Sequence, residues 1–269
     1  MSSFVSATVI THNEAANIER CLNSLIGVAD EIIVVDSLSS DATVDICRRY
    51  GCKVTERAFT GYGSQRQYAV GLANGRFVLS IDADEALSDE LRQNIIRLKE
   101  RGLEHRMYRF RIVNYVCGRP MHRSGMEPYS EIRLFDRRYA NWNLLDVGER
   151  LTYPGGVTPV LIRGEMYHYR CSDFDELDYK ELRNAEIRGR VMAAAGISAA
   201  APMRLLRAVA SFVKCQLRDG AIFTTNADDI CRRYAYLFAE TLRREPNEAP
   251  PEVDRAYLKR IGVLELFGD

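Results

Sequence analysis

The sequence predicts an α/β protein: a mostly parallel sheet covered by helices on both faces, followed by a helical appendage. Three observations carry that prediction. Over the first hundred residues, short apolar β-rich runs alternate with amphipathic helical segments. Three of the four runs end in a polar cluster. From about residue 173 the strand signals give way to helical periodicity.

Phe4–Thr11 is apolar and β-rich, as a buried strand should be. Asn13–Ile26 follows with Ile18, Cys21, Leu22 and Leu25 at helical spacing. Glu31–Val35 reads as the second strand and ends at Asp36. Asp41 can cap a helix over Ala42–Tyr50, which Gly51 terminates. Cys52–Glu56 is the third strand. Gly61-Tyr62-Gly63 marks a loop, and Arg66–Ala73 a helix ended by Asn74-Gly75. Arg76–Ile81 is the fourth strand, ending at Asp82, and Ser88 caps a helix over Glu90–Arg101. Beyond residue 105 the strands are Met107–Val116, Glu131–Phe135 and Val160–Tyr167, with Gly118–Pro128 a loop. Asp173–Ala195, Met203–Arg218 and Asp228–Arg244 read as helices, before a proline-bearing turn and a short final helix. The expected division is a domain over 1–172, with halves meeting near residue 105, and a helical region over 173–269.

Of 269 residues, 46% are apolar and 28% charged, a globular composition that excludes wholesale disorder. With 37 basic and 37 acidic residues the formal charge is +0, so the basic excess of a nucleic-acid binder is missing. Residues 1–100 carry 10 basic and 14 acidic groups, and residues 101–150 carry 10 and 6. That asymmetry suits a metal site beside an anion site, and equally suits scattered solvated charges. Seven cysteines with no C-x-x-C pair argue against a disulfide framework or a zinc site. A reducing cytosol is the expected compartment. No signal-peptide pattern and no uncharged apolar run near ~20 residues are present, so a soluble or peripheral protein is expected.

In parallel α/β sheets ligands bind at the carboxyl ends of the strands. Thr11-His12-Asn13-Glu14, Asp36-Ser37 and Asp82-Ala83-Asp84-Glu85 should therefore meet along one rim. Asp82 and Asp84, two apart on an extended segment, share one side. Two such carboxylates form a hard-oxygen site for Mg2+ or Mn2+ with room for diphosphate oxygens. An aspartyl-phosphate chemistry needs Thr or Val where Ala86 stands. A dinucleotide site needs a third glycine that Gly61-Tyr62-Gly63-Ser64-Gln65-Arg66 lacks.

These strings, with Val34-Val35-Asp36-Ser37, Ser40-Asp41, Gln65-Arg66, Ala69 and Leu79-Ser80-Ile81-Asp82-Ala83-Asp84-Glu85, resemble family 2 glycosyltransferases. Pro128-Tyr129-Ser130-Glu131-Ile132-Arg133-Leu134-Phe135 and His168-Tyr169 narrow the likeness to the bacterial lipopolysaccharide-core glucosyltransferase branch (WaaE/KdtX-like). The resemblance spans roughly residues 4–170. It implies a GT-A fold, a UDP-sugar donor, a divalent Mg2+ or Mn2+, inversion at the anomeric carbon, and an envelope-glycan acceptor. Carried over by position, Thr11, Asn13 and Glu14 would line the nucleotide pocket and Asp36 would bind the base. Asp82 would touch ribose or metal, Asp84 the metal, and Arg66 the diphosphate. His168 would be a third metal ligand or a diphosphate contact, and Glu149 the general base. Simpler roles stand beside these: Asn13, Glu14 and Asp36 as helix-entry groups, Arg66 as a surface arginine, His168 as a hydrogen-bonded core histidine. Glu149 has a rival in Asp146, or could form only a surface salt bridge. His122 is a possible acceptor or phosphate contact; Arg133 either faces the site or pairs Glu131 or Glu127. Trp142 is expected to pack in the core.

The sequence departs from the family pattern in three places. Gly148 stands where the family usually has histidine, Leu38 where glycine is usual, and Gln67 where asparagine is common. The lost histidine leaves open a non-catalytic nucleotide-sugar-binding or scaffold protein with a decayed acceptor side. A sugar nucleotidyltransferase would need glycines after the first strand, and Thr11–Glu14 has none. Finally, Met203–Arg218 sets Arg204, Arg207, Lys214 and Arg218 on one helical face and apolar residues on the other. That pattern suits either the inner face of the cytoplasmic membrane or the core of the appendage.

Overall fold

Strand alternation sets the architecture: Phe77, Leu79 and Ile81 point into one core, and Val78 between them points into another. A sheet buried on both faces needs apolar residues at consecutive positions, and that is why the strands read as continuous apolar runs. The computed structural model describes residues 3–122, 127–145 and 148–172, together with 176, 177 and 180. Met1–His122, Glu127–Leu145 and Glu149–Ser172 form one compact unit. The predicted helices over 173–195, 203–218 and 228–244, the final helix and the basic face of Met203–Arg218 lie outside the described residues.

The elements in order are β1 (Val5–Thr11), α1 (Ile18–Leu25), β2 (Glu31–Asp36), α2 (Thr43–Arg49), β3 (Lys53–Glu56), α3 (Tyr62–Leu72), β4 (Phe77–Asp82) and β5 (Glu85–Leu87). There follow α4 (Asp89–Arg101), β6 (Met107–Val116), β7 (Arg119–Pro120), β8 (Tyr129–Asp136), β9 (Asn141–Trp142), β10 (Leu151–Thr152) and β11 (Val160–Cys171). The main sheet has the order β3-β2-β1-β4-β8-β6-β11-β5, with β7 added to β6. β3, β2, β1 and β4 are parallel neighbours; β8 enters antiparallel, and β6 and β11 resume the first direction. Six of the nine strands thus run one way, the mostly parallel α/β architecture expected from the sequence.

Three differences from the sequence reading have local causes. The first helix begins at Ile18, because Asn17 N and Ile18 N both close a turn on the Glu14 carbonyl (2.9 and 2.8 Å). Asp41 reaches across to that turn: one carboxylate oxygen accepts from Ala15 N (3.1 Å) and the other from Thr43 N (3.0 Å). The third helix begins at Tyr62, inside the expected loop, with Gly61 alone taking a positive φ of 116°. Three short pieces escaped the sequence reading altogether: β5, β7 inside the expected Gly118–Pro128 loop, and the β9–β10 ribbon pairing Trp142 with Leu151.

Leu38 sits at φ 63°, a left-handed conformation that a side chain tolerates poorly, and is 56% exposed. The usual glycine at this position now has a physical reason. Leu38→Gly should relieve the strain without loss of packing and stabilise the fold by roughly 0.5–1 kcal/mol, after subtracting the entropy of an added glycine. Urea denaturation checks this.

Candidate functional site

Parallel register brings the polar strand ends together. Thr11 on β1 pairs with Asp36 on β2, and Ile10 pairs with Asp82 on β4. The three clusters therefore share one rim, as strand alternation requires. On that rim the sequence-identified residues fall into two groups.

The first group shapes loops. Asp36 is fully buried, and its two oxygens accept from Ser39 N (2.7 Å) and Ser39 Oγ (2.5 Å). Asn13, at φ 54°, accepts from Ser40 N through Oδ1 (2.8 Å) and donates its own N–H to Ser39 Oγ (2.8 Å). Glu14 accepts from Asn17 Nδ2 (2.8 Å), and its N–H donates to Thr43 Oγ1 (2.8 Å). Asn13 and Glu14 thus lock the loops after β1 and β2 to each other. Thr11 is buried, and its Oγ1 has no hydrogen-bond partner among the described residues.

The second group is a chain of alternating charges beneath the rim. Arg66, on the buried side of α3, donates from Nη2 to Asp82 (2.6 Å) and from Nε to Glu149 (2.9 Å). Its guanidinium also lies 4.8 Å from the centre of the Trp142 ring. Trp142 itself packs in the second core, as expected. Arg66 thus contacts two carboxylates rather than standing as a surface arginine. Burial alone would favour loss of its charge, but Asp82 and Glu149 outweigh this and raise its pKa. Arg133 on β8 repeats the pattern: it pairs with Glu85 (2.8 Å) and Glu131 (3.3 Å) and approaches Asp82 (3.8 Å). Burial pushes Glu85 above the usual carboxylate range, against the opposing pull of Arg133. The sequence reading passed over Glu85, whose partner is brought to it only by the insertion of β8 beside β4.

Removing Arg66 strands Asp82 and Glu149 face to face in a largely buried place. Arg66→Leu should cost about 3–5 kcal/mol in urea denaturation. Adding Glu149→Gln to that variant should restore part of the loss.

Asp84 and His168 form the neighbouring corner. β11 pairs with β5 so that His168 opposes Glu85, and its Nε2 stands 3.6 Å from an Asp84 oxygen. Burial works against a charged His168 ring, yet Asp84, helped by Glu85, raises its pKa. Among the described residues, the His168 Nδ1, Asp82 Oδ1, Arg66 Nη1 and Arg133 Nε atoms are buried without hydrogen-bond partners. Most buried polar atoms in folded proteins are paired, so these four atoms have hydrogen-bonding capacity to offer a polar ligand. Among the described residues, no group of three His, Cys, Asp or Glu could by itself hold a metal ion. Asp84 and His168 offer two donors and leave the other positions to phosphate oxygens and water, which suits a cation that arrives with a diphosphate. The donor set therefore fits Mg2+ or Mn2+. Asp82 has one oxygen committed to Arg66 and one spare.

Helix α3 joins this donor corner to Glu149. Gly63 N donates to Leu145 O (2.9 Å), and Gln67 Nε2 donates to Trp142 O (3.0 Å). A Cβ on Gly63 would meet Asn143 O at 2.1 Å. Gly63 is thus a close-approach glycine, not the loop marker that its Gly-Tyr-Gly setting suggested. Gly63→Ala should push the 143–145 segment away and cost about 1–3 kcal/mol, read by thermal melting. Gly148 adopts φ 76°, so histidine at this position would strain the present backbone. Asp146, the rival base, lies outside the described residues. His122 is exposed, on a loop.

Residues 6–152, more than half of the chain, match the family model "Glycosyl transferase family 2". An uncharacterized glycosyltransferase of Rickettsia bellii is 38% identical over 144 residues, covering 51% of this chain and 48% of that protein. The chain spans about half the length of the curated relatives it matches. The lipopolysaccharide core biosynthesis glycosyltransferase LpsC of Rhizobium meliloti is 26% identical over 189 residues, covering 68% of this chain and 70% of its own. Among solved structures, S. aureus TarS 1-349 in complex with UDP aligns over 89% of each chain at 16% identity and TM-score 0.46.

Proposed function

The chain belongs to glycosyl transferase family 2, and from that premise we propose an inverting, metal-dependent glycosyltransferase that moves a sugar from a UDP-sugar donor, most simply UDP-glucose. The acceptor on this reading is a sugar of the lipopolysaccharide core or a related envelope glycan, met at the cytoplasmic face of the inner membrane. The observation that carries the reading is the Arg66 bridge. One guanidinium ties Asp82, at the end of β4, to Glu149, on the far side of the ribbon, at 2.6 and 2.9 Å. A donor site and a base must be held in fixed relation for a single displacement, and this bridge does that.

Each residue then has a task. Asp84 and His168 would hold the divalent cation. That cation, when bound, supplies neutralising charge to the departing diphosphate. The spare oxygen of Asp82 accepts from a ribose hydroxyl or joins the cation. Arg66 orients Glu149, so that its second carboxylate oxygen takes the proton of the attacking acceptor hydroxyl. Arg133 and Glu85 hold Asp82 from below. Asn13, Glu14 and Asp36 act by fixing the loops that wall the nucleotide, with Thr11 Oγ1 available to it. The intact Arg66–Glu149 pair favours this reading over a binding protein with a decayed acceptor side.

A thermal-shift screen of UDP-, GDP- and dTDP-sugars with and without Mn2+ tests the proposal. UDP-sugars with Mn2+ should raise the melting temperature most. No stabilisation by any of them would remove the donor assignment.

A further inference from the structure

A groove of about 460 Å3 opens beside the ribbon, lined by Arg137, Arg138, Tyr139, Asn141, Thr152 and Tyr153 among others. It is separate from the strand-end rim. Phe77 pairs with Asp136, so the residues after β8 leave the sheet at the amino end of β4, whereas Asp82 is at the carboxyl end. The ribbon connects the two places. Trp142 lies under Arg66, its partner Leu151 follows Glu149 closely, and Thr152 leads to Tyr153 in the groove. Tyr153 lies four positions beyond Glu149, at most roughly 13 Å at the rise of an extended strand, the length of two or three sugar units.

The groove combines two chemistries. The first is positive charge without a carboxylate on its lining. Arg138 is held rigid by Asp136, donating from Nε (2.9 Å) and Nη2 (2.7 Å), and Asp136 is fully buried and shared with Arg76. The Arg137 guanidinium has no ion pair among the described residues, and Arg106, which is not on the lining, stacks 3.7 Å from the Tyr139 ring centre. A guanidinium fork matches phosphate oxygens in geometry as well as in charge. The second is aromatic surface: Tyr153 is 40% exposed and Tyr139 is half-buried, and such rings present an apolar face with a polar tip. Aromatic faces beside amide and hydroxyl groups suit the mixed faces of a sugar ring.

We propose that this groove is a binding site for a phosphate-bearing saccharide, with Arg137 as the phosphate hook and Tyr153 as the sugar platform. In the glycosyltransferase reading, on which this part rests, the occupant is a phosphorylated sugar of the acceptor chain, a few units from the hydroxyl that faces Glu149. The basic middle of the sequence then serves acceptor recognition.

The test is an NMR titration of the 15N-labelled full chain with glucose 6-phosphate, glucose and inorganic phosphate. Saturable shifts confined to residues 137–141 and 152–153 are expected for glucose 6-phosphate. Glucose and inorganic phosphate should each bind at least fivefold more weakly, as should glucose 6-phosphate to Arg137→Ala and to Tyr153→Ala. Equal binding of inorganic phosphate would reduce the groove to a plain anion patch and overturn the saccharide assignment. Shifts only near Asp84 and His168, or unchanged affinity in both variants, would overturn the site. UDP binding is measured on the same samples. A silent groove with intact UDP binding overturns this inference alone. A responsive groove without UDP binding upholds the saccharide site and overturns the donor reading.

Discussion

Glu149→Gln should lower turnover by about 10²–10⁴-fold, the usual worth of a general base, while leaving UDP affinity within about threefold. Glutamine keeps the shape of the side chain, and its amide oxygen still accepts from Arg66 Nε, which donates to Glu149 at 2.9 Å. The loss of a negative charge beside Arg66 is the main structural change, and Asp82 continues to pair that guanidinium at 2.6 Å. What glutamine lacks is the ability to take a proton. The effect should therefore sit in kcat and leave the donor site unaffected. Steady-state kinetics with a UDP-sugar, together with calorimetry of UDP, separate the two. Normal turnover in the variant would move the base elsewhere, with Asp146 next in line.

Asp84→Ala should reduce turnover by at least ~10³-fold, since charge neutralisation on a leaving diphosphate is worth several kcal/mol. It should also abolish the gain in UDP affinity on adding Mn2+. The fold should survive, because the backbone at this position is held independently: Tyr169 N donates to the Asp84 carbonyl at 2.8 Å. The side chain is partly open to the rim, 15% exposed, and faces His168 at 3.6 Å. A Mn2+ titration of UDP binding in wild type and variant reads the effect directly. An unchanged metal response in Asp84→Ala would remove this carboxylate from the cation site.

The convergence of the rim was legible in the sequence because it depends on local facts. An apolar run ending in a polar cluster at Thr11, Asp36 and Asp82 needs only parallel pairing to align, and alternating strands and helices already demand parallel pairing. The pairing of Arg66 with both Asp82 and Glu149 was not legible. It joins residues 16 and 83 positions apart and depends on how the ribbon folds over α3. Arg133 was seen as either facing the site or pairing Glu131 or Glu127, and it pairs Glu131 and approaches Asp82. Its stronger partner, Glu85, was hidden because strand order is a tertiary property: nothing local says that β8 runs antiparallel next to β4. Gly63 shows a different failure. Gly-Tyr-Gly is a sound turn signal by composition, but here one glycine precedes the helix and the other lets a carbonyl approach it.

The structure also changes what several acidic and polar groups are taken to do. Asp36 and Asn13 were expected either to meet the nucleotide or to serve as helix-entry groups, and both make hydrogen bonds to the Ser39–Ser40 turn. The acidic excess of the first hundred residues thus divides into loop-building carboxylates and the Asp82–Asp84–Glu85 cluster around which the arginines gather. Such a division is common where a rigid scaffold must present a few precise groups on loops.

The central claim is a single displacement in which Glu149 activates an acceptor on the face opposite the diphosphate held near Asp84. The most direct measurement is real-time 1H NMR of the first product formed from UDP-glucose, or from whichever sugar nucleotide stabilises the protein in the screen. An α-linked donor should yield a β-configured product in the earliest spectra, before any spontaneous equilibration. A first product that keeps the α configuration would contradict the account.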